Sequence, residues 1–249
     1  MTSKVEGEFI ELQLMERKIS VYLPKEYRLD VESIFPAVFL HDGDFLFRES
    51  IDVIEQNVKA GLTEPVVFIG IDSDNRNNEY TPWKHDALFS DWSFGGLGDN
   101  YLDFIYEQLY PYIKEQFRIS EDIALGGVSL GGLISMYAMY RKRNLFQKYI
   151  LLSSSVWFTN FMEYMESTAM DYHPKVYMYV GEKEGITKTN IQKNMVPNSK
   201  RAFHILQNTI AQPSENLLFE TDPEGVHDDP FFLHYFPRSI QFLYPTKHV

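Results

Sequence analysis

In the stretch "IALGGVSLGGLISMYAMY", Ile123 to Tyr140, four glycines surround one serine, and Gly127-Val128-Ser129-Leu130-Gly131 matches the pattern G-x-S-x-G. The motif follows an apolar run and precedes "LGGLISMYAMYRKR", which is rich in helix formers. It therefore falls on a strand-to-helix turn, where a serine hydroxyl stands clear of a sheet edge as a nucleophile. A residue on so tight a turn takes a strained backbone angle, and side chains two positions before or after it would strike the neighbouring strand or helix. Gly127 and Gly131 remove those collisions, while Gly126 and Gly132 are assigned to close packing of helix on sheet. The turn also sets the Leu130 N–H at the positive end of the helix, where it can hold a developing oxyanion. A glycine-rich packing turn without chemistry has the same local sequence, so the choice rests on whether the chain supplies a base and an acid.

Nucleophilic serine chemistry needs a base, and the base needs an orienting group; after a turn of this kind they follow in the order acid, then histidine. Between Ser129 and the last strand-helix turn lie His173, His204 and His227. His173 precedes a strand pattern and His204 sits inside a helical one, whereas His227, in "ETDPEGVHDDPFF", comes after the last apolar run and is the expected base. His234 falls on the following helix and His248 on the tail. The acid should follow the preceding strand, where "VYMYVGEKEGITKTN" offers Glu184 and Glu182. Three residues past Gly181, Glu184 can curl back toward the histidine and is preferred; Glu182 stays open, as does a Ser-His dyad with both carboxylates solvated. A second oxyanion N–H is expected in "FLHDGDFLF", from Asp44 with Phe45 next, and His41 is expected to brace that loop.

The elements that must hold these groups read clearly. "EFIELQL" and "KISVYLP" alternate and form a hairpin across "MER". Six later runs, at 35–42, 65–72, 122–127, 148–154, 175–181 and 215–221, are too apolar to have one wet face and predict central strands of a mostly parallel sheet. Helical patterns alternate with them at 48–60, 101–117, 130–143, 157–167, 190–211 and 231–241, with Pro111 expected to kink the second. The alternation predicts a three-layer α/β sandwich. The connection 72–100 shows no clear period, and its aromatics Tyr80, Trp83, Phe89, Trp92 and Phe94 argue for a folded, functional loop. Residues 1–249 are read as a single domain.

Composition narrows the classes. With 35 Asp+Glu against 23 Lys+Arg, a formal net charge of -12 and no basic run, nucleic acid is not an expected partner. Cysteine is absent, which excludes thiolate catalysis and cysteine metal sites. The polar start "MTSKVEGEFIELQL" and the lack of a long apolar run predict a soluble, cytoplasmic protein with no membrane association.

Taken together, "HDGDFLF", "EYTPW", "FGGLGDNYLDFIYEQLYPYI", "ALGGVSLGGLISMYA", "SSSVWF", "VGEKE" and "GVHDDPFF" resemble, in content and order, the bacterial esterases of the enterochelin esterase and esterase D group of the α/β-hydrolases, closest to the branch acting on trilactone siderophores. The resemblance implies an α/β-hydrolase sandwich with an N-terminal antiparallel hairpin and a triad of Ser129, Glu184 and His227. It also implies oxyanion donors at Leu130 and Asp44, a small-molecule ester as partner, and no metal or organic cofactor. Many relatives carry Asp where this chain has "GEKEG", and the Gly-Gly expected before the histidine is Gly225-Val226. Substrate contacts are expected from Arg48 and Arg76, placed on loops after the third and fourth strands, and from an aromatic wall of Tyr80, Trp83 and Trp157 with Trp92, Phe94 and Phe158. Rival readings are a general short-chain carboxylesterase or thioester hydrolase, an acyltransferase, and a catalytically silent binding module of the same fold.

Overall fold

The computed structural model describes residues 5–86, 93–141 and 144–246. Eight strands form one sheet: β1 (Glu8–Leu14), β2 (Arg17–Leu23), β3 (Phe35–His41), β4 (Val67–Ile71), β5 (Ile119–Val128), β6 (Lys148–Leu152), β7 (Lys175–Gly181) and β8 (Leu217–Asp222). Their order is β1-β2-β4-β3-β5-β6-β7-β8, antiparallel across β1, β2 and β4 and parallel from β4 to β8. This is the mostly parallel α/β sheet with an N-terminal hairpin that the apolar runs and the first two alternating segments predict. The hairpin turns through Met15 and Glu16, both at positive φ (48° and 64°), the backbone a two-residue turn needs to match strand twist.

Both faces of the parallel strands are buried, which is why they read as continuous apolar runs. On β5, Ile123 and Leu125 join the core under the helices of residues 98–116, 130–139, 161–167 and 195–209. Ala124, between them, joins the opposite core under the helices Phe45–Lys59 and Asp229–Leu243. The result is three layers.

Three elements differ from the expected boundaries in informative ways. The helix expected over 101–117 runs as an α-helix Gly98–Phe104, a π-helical turn Ile105–Leu109 and an α-helix Tyr110–Gln116. Pro111 has no N–H to return to Glu107 and its ring crowds that carbonyl, so a widened turn sits just before it and accommodates the proline. The helix expected from 157 begins at Phe161, after Asn160 adopts a left-handed conformation. The segment 72–100, expected to be irregular, contains a helical turn Arg76–Glu79 and a short ladder pairing Lys84–His85 with Phe94–Gly95. Phe89, Trp92 and His248 lie outside the described residues.

The helix Leu130–Met139 is buried at every position and packs hard against β6. A Cβ on Gly132 would stand 2.3 Å from Ser154 Oγ and 3.0 Å from its Cα, and one on Gly126 would stand 2.6 Å from Ile150 Cβ. Alanine at 132 gains about 1 kcal/mol in helix propensity but forces the backbone of Ser154 to move, a strain of about 1–3 kcal/mol. Gly132→Ala is therefore expected to lower the thermal midpoint by a few degrees. A scanning-calorimetry trace at or above the wild-type midpoint would show that the chain at Ser154, just past β6, yields freely.

Candidate active site

Every candidate chemical group follows the carboxyl end of a parallel strand. Ser129 terminates β5 at φ 58° and ψ −117°, a left-handed backbone costly for a side chain, and its N–H is tied to Leu152 O at 3.0 Å. The flanking glycines are explained by what surrounds them. A Cβ on Gly127 would stand 3.1 Å from Gly131 and 3.2 Å from the His41 ring, and one on Gly131 would stand 3.1 Å from His41 Cβ. The two glycines therefore face each other across a buried imidazole that fills the space beneath the turn.

His41, at the end of β3, is wholly packed: its Nδ1 lies 2.7 Å from Tyr101 Oη and its Nε2 lies 3.0 Å from Ser135 Oγ. Ser135 already donates its only proton to Gly131 O at 2.8 Å, so Nε2–H is the donor to Ser135 and the Tyr101 hydroxyl donates to Nδ1. Burial, reinforced by the nearby Arg76 guanidinium, pushes the imidazole pKa down to about 3, so the ring is neutral over the ordinary pH range. A neutral, doubly hydrogen-bonded histidine braces the turn and is not a rival base.

The histidine and the acid meet. His227 Nδ1 lies 2.7 Å from Glu184 Oε2. The other carboxylate oxygen accepts from Ser153 Oγ at 2.6 Å and from the Gly181 N–H at 2.9 Å, and the Glu184 side chain is 0% exposed. A buried carboxylate needs such donors, because leaving one unpaired costs several kcal/mol. Because carboxylate oxygens only accept, His227 carries its proton on Nδ1 and presents the Nε2 lone pair. Glu182 points elsewhere: it accepts from Thr221 Oγ1 at 3.0 Å and faces Lys200.

Ser129 and His227 line both lobes of a divided cleft. One lobe, about 310 Å³, runs past Trp157, Ile186, Lys188 and Met195. The other, about 300 Å³, runs past Asp42, Phe45, Arg76, Asp229 and Phe232. Leu130 opens its helix directly after the serine, and Asp44 immediately precedes the helix Phe45–Lys59, so two helix N-termini bring main-chain N–H groups to this edge. Asp42 and Gly43 both take positive φ (63° and 70°) to make the turn. Gly70 on β4 leaves room for it, since a Cβ there would stand 2.9 Å from the Asp44 nitrogen.

The expected substrate contacts fare unevenly. Trp157 lines the first lobe and Arg76 the second, but Arg76 is held in a fork by Asp42, at 2.8 and 3.0 Å. Tyr80 is 0% exposed and receives the Asp42 N–H on its hydroxyl at 3.1 Å, so it supports the loop from below and cannot touch a substrate. Trp83 donates its indole N–H to Thr159 O at 3.0 Å, packs among Phe158, Phe161 and Tyr164, and lines neither lobe. Arg48 pairs with Asp44 one helical turn away and lies over the Phe9 ring, outside both lobes. Arg48, Arg76, Tyr80 and Trp83 thus hold the framework, while Trp157 faces the cleft.

Sequence reasoning missed Gly70, Ser153 and Ser155. A glycine inside the apolar run "VVFIGID" is the signal for Gly70, because strand interiors disfavour glycine unless another backbone approaches. For the serines the signal is "SSS" at the end of β6, where the chain leaves the sheet beside the nucleophile.

The family model described as "Putative esterase" matches residues 14–242. An uncharacterized protein, YbbA of Bacillus subtilis, is 32% identical over 96% of this chain and 97% of its own length. A siderophore enterobactin esterase of Emericella nidulans is 28% identical over 50% of this chain, and this chain spans about half, 47%, of that protein. Among solved structures, an IroE-like serine hydrolase from Shewanella oneidensis superimposes with a TM-score of 0.81 at 23% identity, covering 96% of this chain and 80% of that one.

Proposed function

The chain belongs to the "Putative esterase" family, and from that premise we propose that it hydrolyses carboxylic esters through Ser129, His227 and Glu184. The observation that carries this reading is the 2.7 Å contact between His227 Nδ1 and the buried Glu184, in a cleft that Ser129 and His227 share. His227 Nε2 takes the Ser129 proton as Oγ attacks the ester carbonyl. The main-chain N–H groups of Leu130 and Asp44 hold the oxyanion, and His227 returns the proton to the leaving alcohol. Water, activated by the same histidine, then releases the acid from the acyl-enzyme.

A fluorophosphonate probe tests this directly, since it phosphonylates only an activated serine. Wild type is expected to be labelled and Ser129→Ala to remain unlabelled; a folded wild type that resists the probe would leave the silent binding module. Products formed with added alcohols separate a hydrolase from an acyltransferase.

Within this class, a trilactone siderophore is the more specific substrate reading. Support comes from the enterobactin esterase of Emericella nidulans and from Lys183 and Lys188, cations lining the lobe that also holds Trp157. The arginines expected to meet such an anion are already engaged by Asp42 and Asp44, and Lys183 pairs with Glu224, so Lys188 takes that place. Conversion of a ferric trilactone to linear trimer or monomer decides this point. Turnover of short p-nitrophenyl esters alone would assign a general carboxylesterase. Among the described residues no helix is long and apolar enough to cross a membrane; action in the cytoplasm, in keeping with a chain free of cysteine, is checked by cell fractionation.

A further inference from the structure

Ser129 Oγ lies 3.1 Å from Ser155 Oγ, and the Ser155 N–H donates to the Ser129 carbonyl at 2.9 Å. Ser155 is 0% exposed, so water does not compete for its hydroxyl. The direction of the hydroxyl contact follows from the histidine. With Nδ1–H given to Glu184, the Nε2 lone pair is the acceptor waiting for the Ser129 proton. Ser129 has one proton to give, and at the moment of attack it goes to His227; its oxygen can then only accept from Ser155.

We propose, on the serine-esterase reading above, that Ser155 is a further catalytic residue whose hydroxyl donates a hydrogen bond to Ser129 Oγ and steadies the negative charge that builds there as the proton leaves. The contact exists before attack, when Ser129 is neutral, and strengthens as the oxygen becomes anionic, because a hydrogen bond to a charged acceptor is about twice as strong as a neutral one. Only that increment lowers the barrier, so the effect belongs to kcat and to the rate of phosphonylation, with substrate binding untouched. The geometry is fixed in advance. Two main-chain bonds, Ser155 N–H to Ser129 O and Phe158 N–H to Ser155 O, both 2.9 Å, set the residue's place. Two residues earlier, Ser153 departs from β6 at φ 45° with its hydroxyl on Glu184. One three-residue segment thus touches both the acid and the nucleophile, and it does so from the strand beside the one that carries Ser129.

The test compares wild type, Ser129→Ala, Ser155→Ala, Ser155→Cys and Ser155→Thr by the second-order rate of fluorophosphonate labelling and by steady-state hydrolysis of a p-nitrophenyl ester. Ser155→Ala is expected to lower kcat and the labelling rate together by about tenfold, with KM within about twofold, because the increment on charging is about the size of one net neutral hydrogen bond. Ser155→Cys keeps the volume and offers only a weak donor, so it should show the same fall, and it carries the test if the alanine variant folds poorly. Ser155→Thr restores the donor and should recover most of the rate. A merely structural role would instead lower the thermal midpoint and leave the labelling rate of the folded fraction unchanged. Wild-type rates in Ser155→Ala or Ser155→Cys, or a rise in KM at constant kcat, overturn the role of Ser155 while leaving the esterase reading intact. An unlabelled wild type removes the esterase reading itself, so the two failures are distinct.

Discussion

Glu184→Gln is expected to lower kcat for a p-nitrophenyl ester by about 10⁴-fold, as removal of the orienting acid does in serine hydrolases, while Glu182→Gln stays within about twofold. The contrast follows from two carboxylates only two residues apart. The Glu184 N–H donates to Gly181 O at 3.1 Å, closing a turn, and the Gly181 N–H returns to Glu184 Oε1 at 2.9 Å. That reciprocal pair folds the side chain inward, under Ser153 and against His227. A glutamine keeps the volume but carries one oxygen and one NH2. If the oxygen stays on the Gly181 N–H and the Ser153 hydroxyl, the NH2 faces His227 Nδ1 and forces the ring to protonate at Nε2, which removes the base. If the amide turns round, the NH2 meets two donors in a buried site and the turn loosens. Either arrangement lowers kcat more than it raises KM, because the imidazolium that forms during attack loses its carboxylate. Kinetics of both variants against wild type decide it: a Glu184→Gln enzyme with near-normal kcat would mean that Ser129 and His227 suffice as a dyad.

The choice between those two glutamates also marks what the sequence could carry. Strand positions were legible because burial on both faces leaves an unmistakable run of apolar residues, as in Val67–Ile71 and Lys175–Gly181. That Ser129, Glu184 and His227 each follow a strand was legible because chain order fixes which strand precedes which loop. Positions inside loops were less so. Tyr80 sits in a segment rich in aromatics, and the sequence gives no sign of which rings turn in; its packing against His41 and Tyr101, with centroids 5.1 Å away in each case, is a consequence of where three distant elements meet. Arg48 and Arg76 look like anion contacts until Asp44 and Asp42, on the neighbouring turn, are seen to claim them. Ser153 and Ser155 carry no charge and no period, so only their juxtaposition with Glu184 and Ser129 reveals them. The pattern has one cause. Sequence periodicity reports burial averaged over an element, whereas partner choice between polar side chains depends on contacts between segments far apart in the chain.

The buried His41 makes stability depend on pH in a way that can be isolated. Its imidazole ordinarily titrates near 6.5 and in the folded protein near 3, because burial first and the Arg76 charge second disfavour the protonated ring. Below pH 6.5 the unfolded chain therefore binds a proton that the folded chain refuses. Stability contributed by the neutral ring is complete above pH 6.5 and is lost as pH falls toward 3, at about 1.4 kcal/mol per pH unit. Between pH 6.5 and 5, before most carboxylates begin to titrate, the loss from this one residue is about 2 kcal/mol. His41→Gln offers a donor to Ser135 and an acceptor to Tyr101 without a titrating group, so it tests the linkage with the hydrogen bonds retained. It is expected to be less stable than wild type at pH 8, because the amide fills the space beneath Gly127 and Gly131 less well, and to hold its stability from pH 6.5 to 5 where wild type declines. Urea unfolding at half-unit pH steps reads both curves. Parallel curves for the two proteins would mean that the folded state admits a proton at His41, and that the turn beneath Ser129 is less tightly closed than the contacts of His41 with Tyr101 and Ser135 require.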